Sequence, residues 1–312
     1  MSQVKIEEST FGKLPNKQIV KKYTMTNKNE YLLNPYIGST IGRVSNRIAN
    51  SKFELDGTVY QLEKNEGENT LHGGPKGLAI KNWASTIVDS CVKFSYVSAD
   101  GEGGFPGEVW FDAWFKLDEN VNTLIIEYKA ITDKPTPVNM TNHFYLNLNG
   151  RDSTERIYNH LVKINSDKYL ELNLDNTVTD KSKEVDNSKY DFRDFKVLKN
   201  LIQMDAKWPE HGFDNYFIGK DANSSMNDLA SVKNPSNGIR CDLRSNQPGL
   251  YFYTGNFLDI CTTHGTNYKK HHGFCLEAHN YPDSLNHKQF PSCVLNPDTE
   301  YNHLTTLTFS IE

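Results

Sequence analysis

Along most of this 312-residue chain, apolar and polar residues alternate in short runs separated by turn residues, and they almost never recur at helical spacing. Alternation of period two puts successive side chains on opposite faces of an extended backbone, so it specifies β-strands. KFELDGTVYQL at 52–62 is the plainest case. Asp56-Gly57 stands between two alternating runs, and Asp-Gly supplies the positive φ angles of a type I′ turn, which predicts a hairpin. From Gly107 to Leu117, Val109, Phe111, Ala113 and Phe115 share one face, and Trp110, Asp112 and Trp114 the other. A polar turn at 118–122 leads to TLIIEYKAIT (123–132), the expected partner strand. GLYFYTGNFL (249–258) is rich in the aromatics that suit a pleated surface. Only FRDFKVLKNLIQM (192–204) offers helical spacing, while the polar segments 180–187 and 220–236 read as surface loops. Pro and Gly are spread evenly and no linker divides the chain, so 1–312 reads as a single all-β domain, a large antiparallel sandwich with few short helices.

A formal net charge of -5 gives no electrostatic case for nucleic acid or an anionic membrane. The opening MSQVKIEEST is polar and lacks the apolar core of a secretory signal, and no apolar run approaches the ~20 residues of a membrane span, so a soluble, cytoplasmic protein is expected. Five cysteines (Cys91, Cys241, Cys261, Cys275, Cys293) are irregularly spaced, suiting reduced structural thiols. The sequons at Asn139 and Asn223 are then chance matches.

Several segments hold polar residues that folding alone does not require. TPVNMTNHFYLNLNG (136–150) places His143 in a strand-like run, with Thr141 and Tyr145 on the same face. GFCLEAHNYPD (273–283) brings Glu277 and His279 to one face of a strand flanked by Phe274, Leu276 and Tyr281. A carboxylate there needs a reason, because charged side chains are almost never fully buried unless paired. His72 precedes a Gly-Gly turn in NTLHGGPKG (69–77), Asn46 and Arg47 stand together in GRVSNRIAN (42–50), and Asp214 lies among aromatics in HGFDNYF (211–217). Each also has a plain structural explanation: a hydrogen-bonded strand histidine, a salt bridge for Glu277, a simple turn at the glycines or at Asp214. His264, His271, His272, His279 and His287 crowd together, but HHGFCLEAH lacks the spacing that aims two imidazoles at a zinc, so no metal is expected. Nor is there a phosphate-binding glycine motif for a nucleotide cofactor.

At these segments the sequence resembles the aldose 1-epimerase family. GRVSNRIA, the Asp-Gly hairpin, NTLHGGPKG, GGFPGEV (103–109), PVNMTNHFYLNL, PGLYFYTGNFLD (248–259), GFCLEAHNYPDSLNH (273–287) and FPS (290–292) occur in the family's order. The resemblance implies an antiparallel β-sandwich with a sugar cleft on one sheet. It also implies a cofactor-free enzyme that interconverts the α and β anomers of hexoses such as D-galactose and D-glucose. Glu277 takes the position of the general base and His143 that of the general acid. His72, Asn46, Arg47 and Asp214 take sugar-binding positions, with Tyr251 and Phe144 offering apolar surface. Reference pKa values of about 4.3 for Glu and about 6.5 for His would leave the first ionised and the second protonated near neutrality. Beyond the hexose no partner is implied, and no more than a weak homodimer.

The sequence departs from the family at three places. Tyr251 stands where the family commonly has a sugar-contacting Gln, and Ala278-His279-Asn280-Tyr281 replaces Thr-Gln-His-Phe. YTMTN (23–27) also runs almost directly into EYLLNPYIG (30–38), where members usually carry about 25–30 further residues of strand-bearing chain. Two other functions compete. A non-catalytic sugar-binding module would need neither acid nor base, and a hexose-6-phosphate epimerase would need arginines beyond Arg43 and Arg47.

Overall fold

Asp56 (φ 49°) and Gly57 (φ 77°) both take positive φ, and Lys52–Leu55 pairs with Thr58–Gln61 around them as the turn chemistry predicts. The structure is a computed structural model. It describes residues 36–312 apart from 90, 119, 151–152, 154, 204–211, 221–224 and 262–264, together with the paired strands Lys5–Lys13 and Ile19–Thr26. The junction at 27–29 and His264 lie outside the described residues.

The strand Val109–Asp118 buries Val109, Phe111 and Ala113 and half-buries Phe115, and it pairs residue for residue with Thr123–Thr132. Both belong to a nine-stranded antiparallel sheet. In spatial order it runs Lys196–Val197, Leu161–Ile164, Asn227–Lys233, Ile239–Ser245, Tyr301–Ile311, Thr123–Thr132, Val109–Asp118, Cys91–Ser98, Ala84–Val88. A second antiparallel sheet of five strands runs Val178–Glu184, Lys168–Leu172, Asp214–Ile218, Gly249–Tyr253, Cys275–Ala278. Phe111, Ile126, Tyr128, Val232 and Leu243 from the larger sheet meet Phe217, Leu250, Phe252, Leu276 and Ala278 from the smaller in one core. A fully buried Phe or Leu contributes about 1.5–3 kcal/mol, so this layer dominates the stabilisation. The expected sandwich is therefore present.

Alternation then sends Tyr216, Tyr251, Tyr253 and Cys275 to the other face of the smaller sheet, where they cluster with Leu170 and Val178. Hence Gly249–Tyr253 is buried on both faces. Short pairings cover that side: Thr40–Ile41 with Thr141–Asn142, and Arg47–Ile48 with Thr70–Leu71. Val44, Ile48, Phe53, Leu62 and Phe105 pack beneath them as a satellite core.

Among the described residues of 192–204 the helix spans Leu198–Gln203, and it starts that late because Lys196–Val197 is drawn out to pair with Leu161–Val162 at the sheet edge. Two expected loops are strands. Val178–Glu184 is an exposed edge, tolerant of polar residues, and Asn227–Lys233 is interior. A bulge at Asp228–Ala230 puts Leu229 and Ala230 side by side in the core, which breaks the alternation that would have marked the strand. No helix among the described residues is long and apolar enough to cross a membrane.

Arg43 ties the covering segment to the large sheet. Its guanidinium, 2% exposed, donates to Ser98 Oγ and to the carbonyls of Ser98, Ala99, Pro106 and Gly107 at 2.8–3.0 Å. A lysine has no fork to satisfy several carbonyls at once. Arg43→Lys should therefore lose about 3 kcal/mol of stability in urea denaturation, through buried acceptors left unpaired; a wild-type midpoint would show the network to be dispensable.

Candidate active site

One cavity of about 180 Å³ lies between the smaller sheet and its covering segments, and Glu277, His143, Asn46, Arg47, His72, Asp214 and Tyr251 all line it. Three adjacent strands supply the floor. Asp214 begins the first and faces Tyr253, while Tyr251 on the second faces Glu277 on the third. The covering segments supply the wall with Asn46, Arg47, His72 and His143.

His72 sits at φ 54°, followed by Gly73 and Gly74 at 83° and 82°. A side chain at Gly73 would place its Cβ 2.0 Å from the Gly42 carbonyl oxygen, so only glycine fits where the two segments touch. This turn presents His72 Nδ1 to the Asn46 amide, which donates to it at 3.1 Å. An accepting Nδ1 carries no proton, so the neutral ring keeps its proton on Nε2. Burial, and then His143 and Arg47, hold the His72 pKa well below that of a free imidazole. His72 is thus a fixed neutral donor.

His143 Nε2 lies 3.6 Å from Glu277 Oε1, and both side chains are almost fully buried. Burial, reinforced by the charge of Asp214 and partly offset by Arg47, raises the Glu277 pKa well above the ordinary value. Burial pushes His143 down to about 4. An ionised Glu and a protonated His are therefore both disfavoured by their surroundings, because desolvation opposes both charges. A neutral pair and an ion pair each hold one proton, and they differ only in which side carries it. Glu277 Oε2 is buried without a hydrogen-bond partner among the described residues. A donor arriving there would favour the carboxylate.

Arg47 Nε and Nη2 clasp the two carboxylate oxygens of Glu66 at 2.5 and 2.8 Å. The Asn46 side chain accepts from the Arg47 amide at 2.9 Å. Tyr251 lines the cavity with limited reach. It is 2% exposed and its hydroxyl donates to the Asp214 carbonyl at 2.9 Å, leaving the phenolic oxygen only an acceptor's capacity toward a ligand. Phe144 faces the interior core instead, since alternation puts His143 and Tyr145 on the cavity side. Tyr36, Glu66, Tyr145, Tyr253 and Phe257 also line the cavity. Of these, Glu66 was findable in NEGENTLHGG, six residues before His72, but nothing local marks it as the partner of Arg47.

The described members of the C-terminal histidine cluster do not converge. His271 bonds Tyr158 and Asn256, His279 bonds the Asn280 carbonyl, and His287 pairs with Asp283. His279 stays close behind the floor, its ring stacked 6.1 Å from Tyr251. Ligand-type atoms do gather at His72, His143 and Glu277, within 4.8 Å of one another. That set has the chemistry of a divalent-metal site as well as of a proton-transfer site.

The aldose 1-epimerase family's sequence profile matches residues 13–308. The chain is 39% identical to the galactose mutarotase of Rattus norvegicus over 89% of its own length and 80% of that protein's. It is 36% identical to the aldose 1-epimerase of Escherichia coli K12, over 89% and 81% respectively. Among solved structures, an aldose epimerase homologue from C. elegans superposes with a TM-score of 0.85 at 25% identity, covering 99% of both chains.

Proposed function

The chain belongs to the aldose 1-epimerase family, and on that premise we propose that this cavity interconverts the α and β anomers of free hexoses such as D-galactose and D-glucose, with Glu277 as base and His143 as acid. The observation that carries the assignment is the pair itself: two buried groups 3.6 Å apart, with Glu277 Oε2 awaiting a donor. The sugar's C1 hydroxyl supplies that donor. Glu277 takes its proton, the C1–O5 bond breaks toward O5, and the proton on His143 passes to O5, giving the open-chain aldehyde. After rotation about C1–C2 the O5 hydroxyl attacks the other face of the aldehyde. His143 then recovers its proton, and Glu277 returns one to the C1 oxygen.

Each positioned acid or base of this kind contributes on the order of 10²–10⁴ in rate. The neutral Nε2–H of His72 stabilises oxygen as charge develops. Arg47, Asn46 and Asp214 hold hydroxyls in register, and orientation is itself a large part of such a barrier. Among the described residues Arg47 is the only arginine or lysine lining the cavity, and Glu66 occupies it, which favours a free hexose over a hexose phosphate. Arg43 is turned away into its own network. The reading includes a monomer or weak homodimer in the cytoplasm, in keeping with cysteines that form no disulfide among the described residues.

Polarimetry of freshly dissolved α-D-galactose and α-D-glucose tests the activity. The protein should speed the approach to an unchanged final rotation, and should do so equally well after exhaustive chelation. No acceleration from folded protein would sink the reading, and activity lost to chelation and restored by zinc would turn it into a metal site. Because burial lowers His143 to about 4 and raises Glu277, the pair keeps its single proton across neutrality. The pH profile of kcat/KM should therefore show no inflection between pH 6 and 8. A step near 6.5, where an unperturbed imidazole titrates, would contradict the assigned state.

A further inference from the structure

The strand Cys275–Ala278 touches the His143 ring twice. Glu277 Oε1 lies 3.6 Å from Nε2, and Cys275 Sγ lies 3.5 Å from Nδ1. Residues two apart on a strand project to the same face, so one stretch of backbone holds both nitrogens of one imidazole. The ring also stacks on Tyr145 with centroids 5.1 Å apart at 17°, and on Tyr36 at 6.2 Å and 20°. Its plane is thereby fixed with respect to the sulfur.

We propose that Cys275 is a positioning residue for the reaction: its sulfur accepts from Nδ1–H of His143, so the neutral ring presents a bare Nε2, the atom that gives and takes the transferred proton, to the cavity. The inference rests on the role proposed for His143. In the imidazolium Nδ1–H donates to sulfur while Nε2–H faces the cavity. Ring opening takes the Nε2 proton and ring closure returns it, so Nδ1–H stays on sulfur in both states. A carbonyl or carboxylate would hold Nδ1–H as well but would stabilise the imidazolium more. Cys275 is fully buried, and burial, with Glu277 and Asp214 behind it, raises its pKa well above the usual value, so the thiol keeps its proton. Sulfur is also a weak acceptor and does little to stabilise the imidazolium. His143 therefore stays a strong acid, in keeping with its depressed pKa.

The test compares Cys275→Ala and Cys275→Ser by polarimetry and by nitrogen-15 NMR of His143 in uniformly labelled protein. Wild type should show the Nδ1–H tautomer at neutral pH. Cys275→Ala should lower kcat about ten-fold with little change in KM, the worth of one hydrogen bond, and should show a mixture of tautomers. Cys275→Ser, which can still donate or accept, should recover most of kcat and the single tautomer. Equal losses in the two variants, with the tautomer unchanged, would reduce Cys275 to packing and overturn the inference. So would full activity of Cys275→Ala. Neither result would touch the role of His143, which fails separately if His143→Asn turns over normally.

Discussion

Replacing Glu277 with Gln should cut kcat for mutarotation by about 10³-fold while KM changes little, because the amide keeps the shape and cannot take a proton. The loss should come without unfolding. Glu277 is a buried carboxyl whose pKa is raised by its surroundings, so the protein stabilises its charged form poorly. Exchanging it for a neutral isostere should leave the melting temperature unchanged or raise it, as happens where a site gives up stability for chemistry. Adding His143→Asn should cost little more than the worse single change, since acid and base act on one bond as a unit. Polarimetry on calorimetrically intact protein decides the matter. Residual turnover within ten-fold of wild type in Glu277→Gln would remove Glu277 from its role.

Acid should destabilise the fold long before its carboxylates titrate. His143, His160, His271 and His279 are pushed down to about 4, His303 to about 3 and His72 well below its ordinary value, in each case first by burial. The unfolded chain protonates these rings near 6.5 and the folded chain does not, so the unfolded state binds more protons between about pH 6.5 and 4 and stability falls as pH falls. Glu277 and His287, whose pKa values are raised, act in the opposite sense. Between pH 7 and 5 each depressed histidine costs up to about 2 kcal/mol. Half of that, summed over six, approaches the whole stability of an ordinary domain. The melting temperature should drop by at least about 10 °C over this interval. A melting temperature that holds steady from pH 7 to 5 would mean that the rings are hydrated or already charged in the fold.

Local sequence carried much of this architecture, where the physics is local. The type I′ hairpin at Asp56-Gly57, the alternation of Val109–Asp118 and its adjacent partner are decided by neighbours in the chain. The same holds for Glu277, whose carboxylate interrupts an apolar strand. Asn227–Lys233 was hidden by its bulge, and the helix within 192–204 was shortened by a sheet edge formed with residues far away. At the site, seven residues from six segments were legible as chemistry, but their state was not. That the cavity would disfavour a charged Glu277, that the Tyr251 hydroxyl would donate to the Asp214 carbonyl, and that Glu66 would hold Arg47 all depend on what lies across the fold.

The large sheet also bears on how the protein is made. Its central strand, Tyr301–Ile311, is the last described strand in sequence, wedged between Ile239–Ser245 and Thr123–Thr132. During synthesis, ribosomes would release both neighbours with bare edges before the piece that joins them exists. Unpaired interior edges are templates for aggregation, and pairings this distant form slowly. The nascent chain would thus carry these edges unpaired until Tyr301–Ile311 emerges. Deleting the strand Tyr301–Ile311 would spare every residue of the cavity and still leave two half-sheets with nothing to join them.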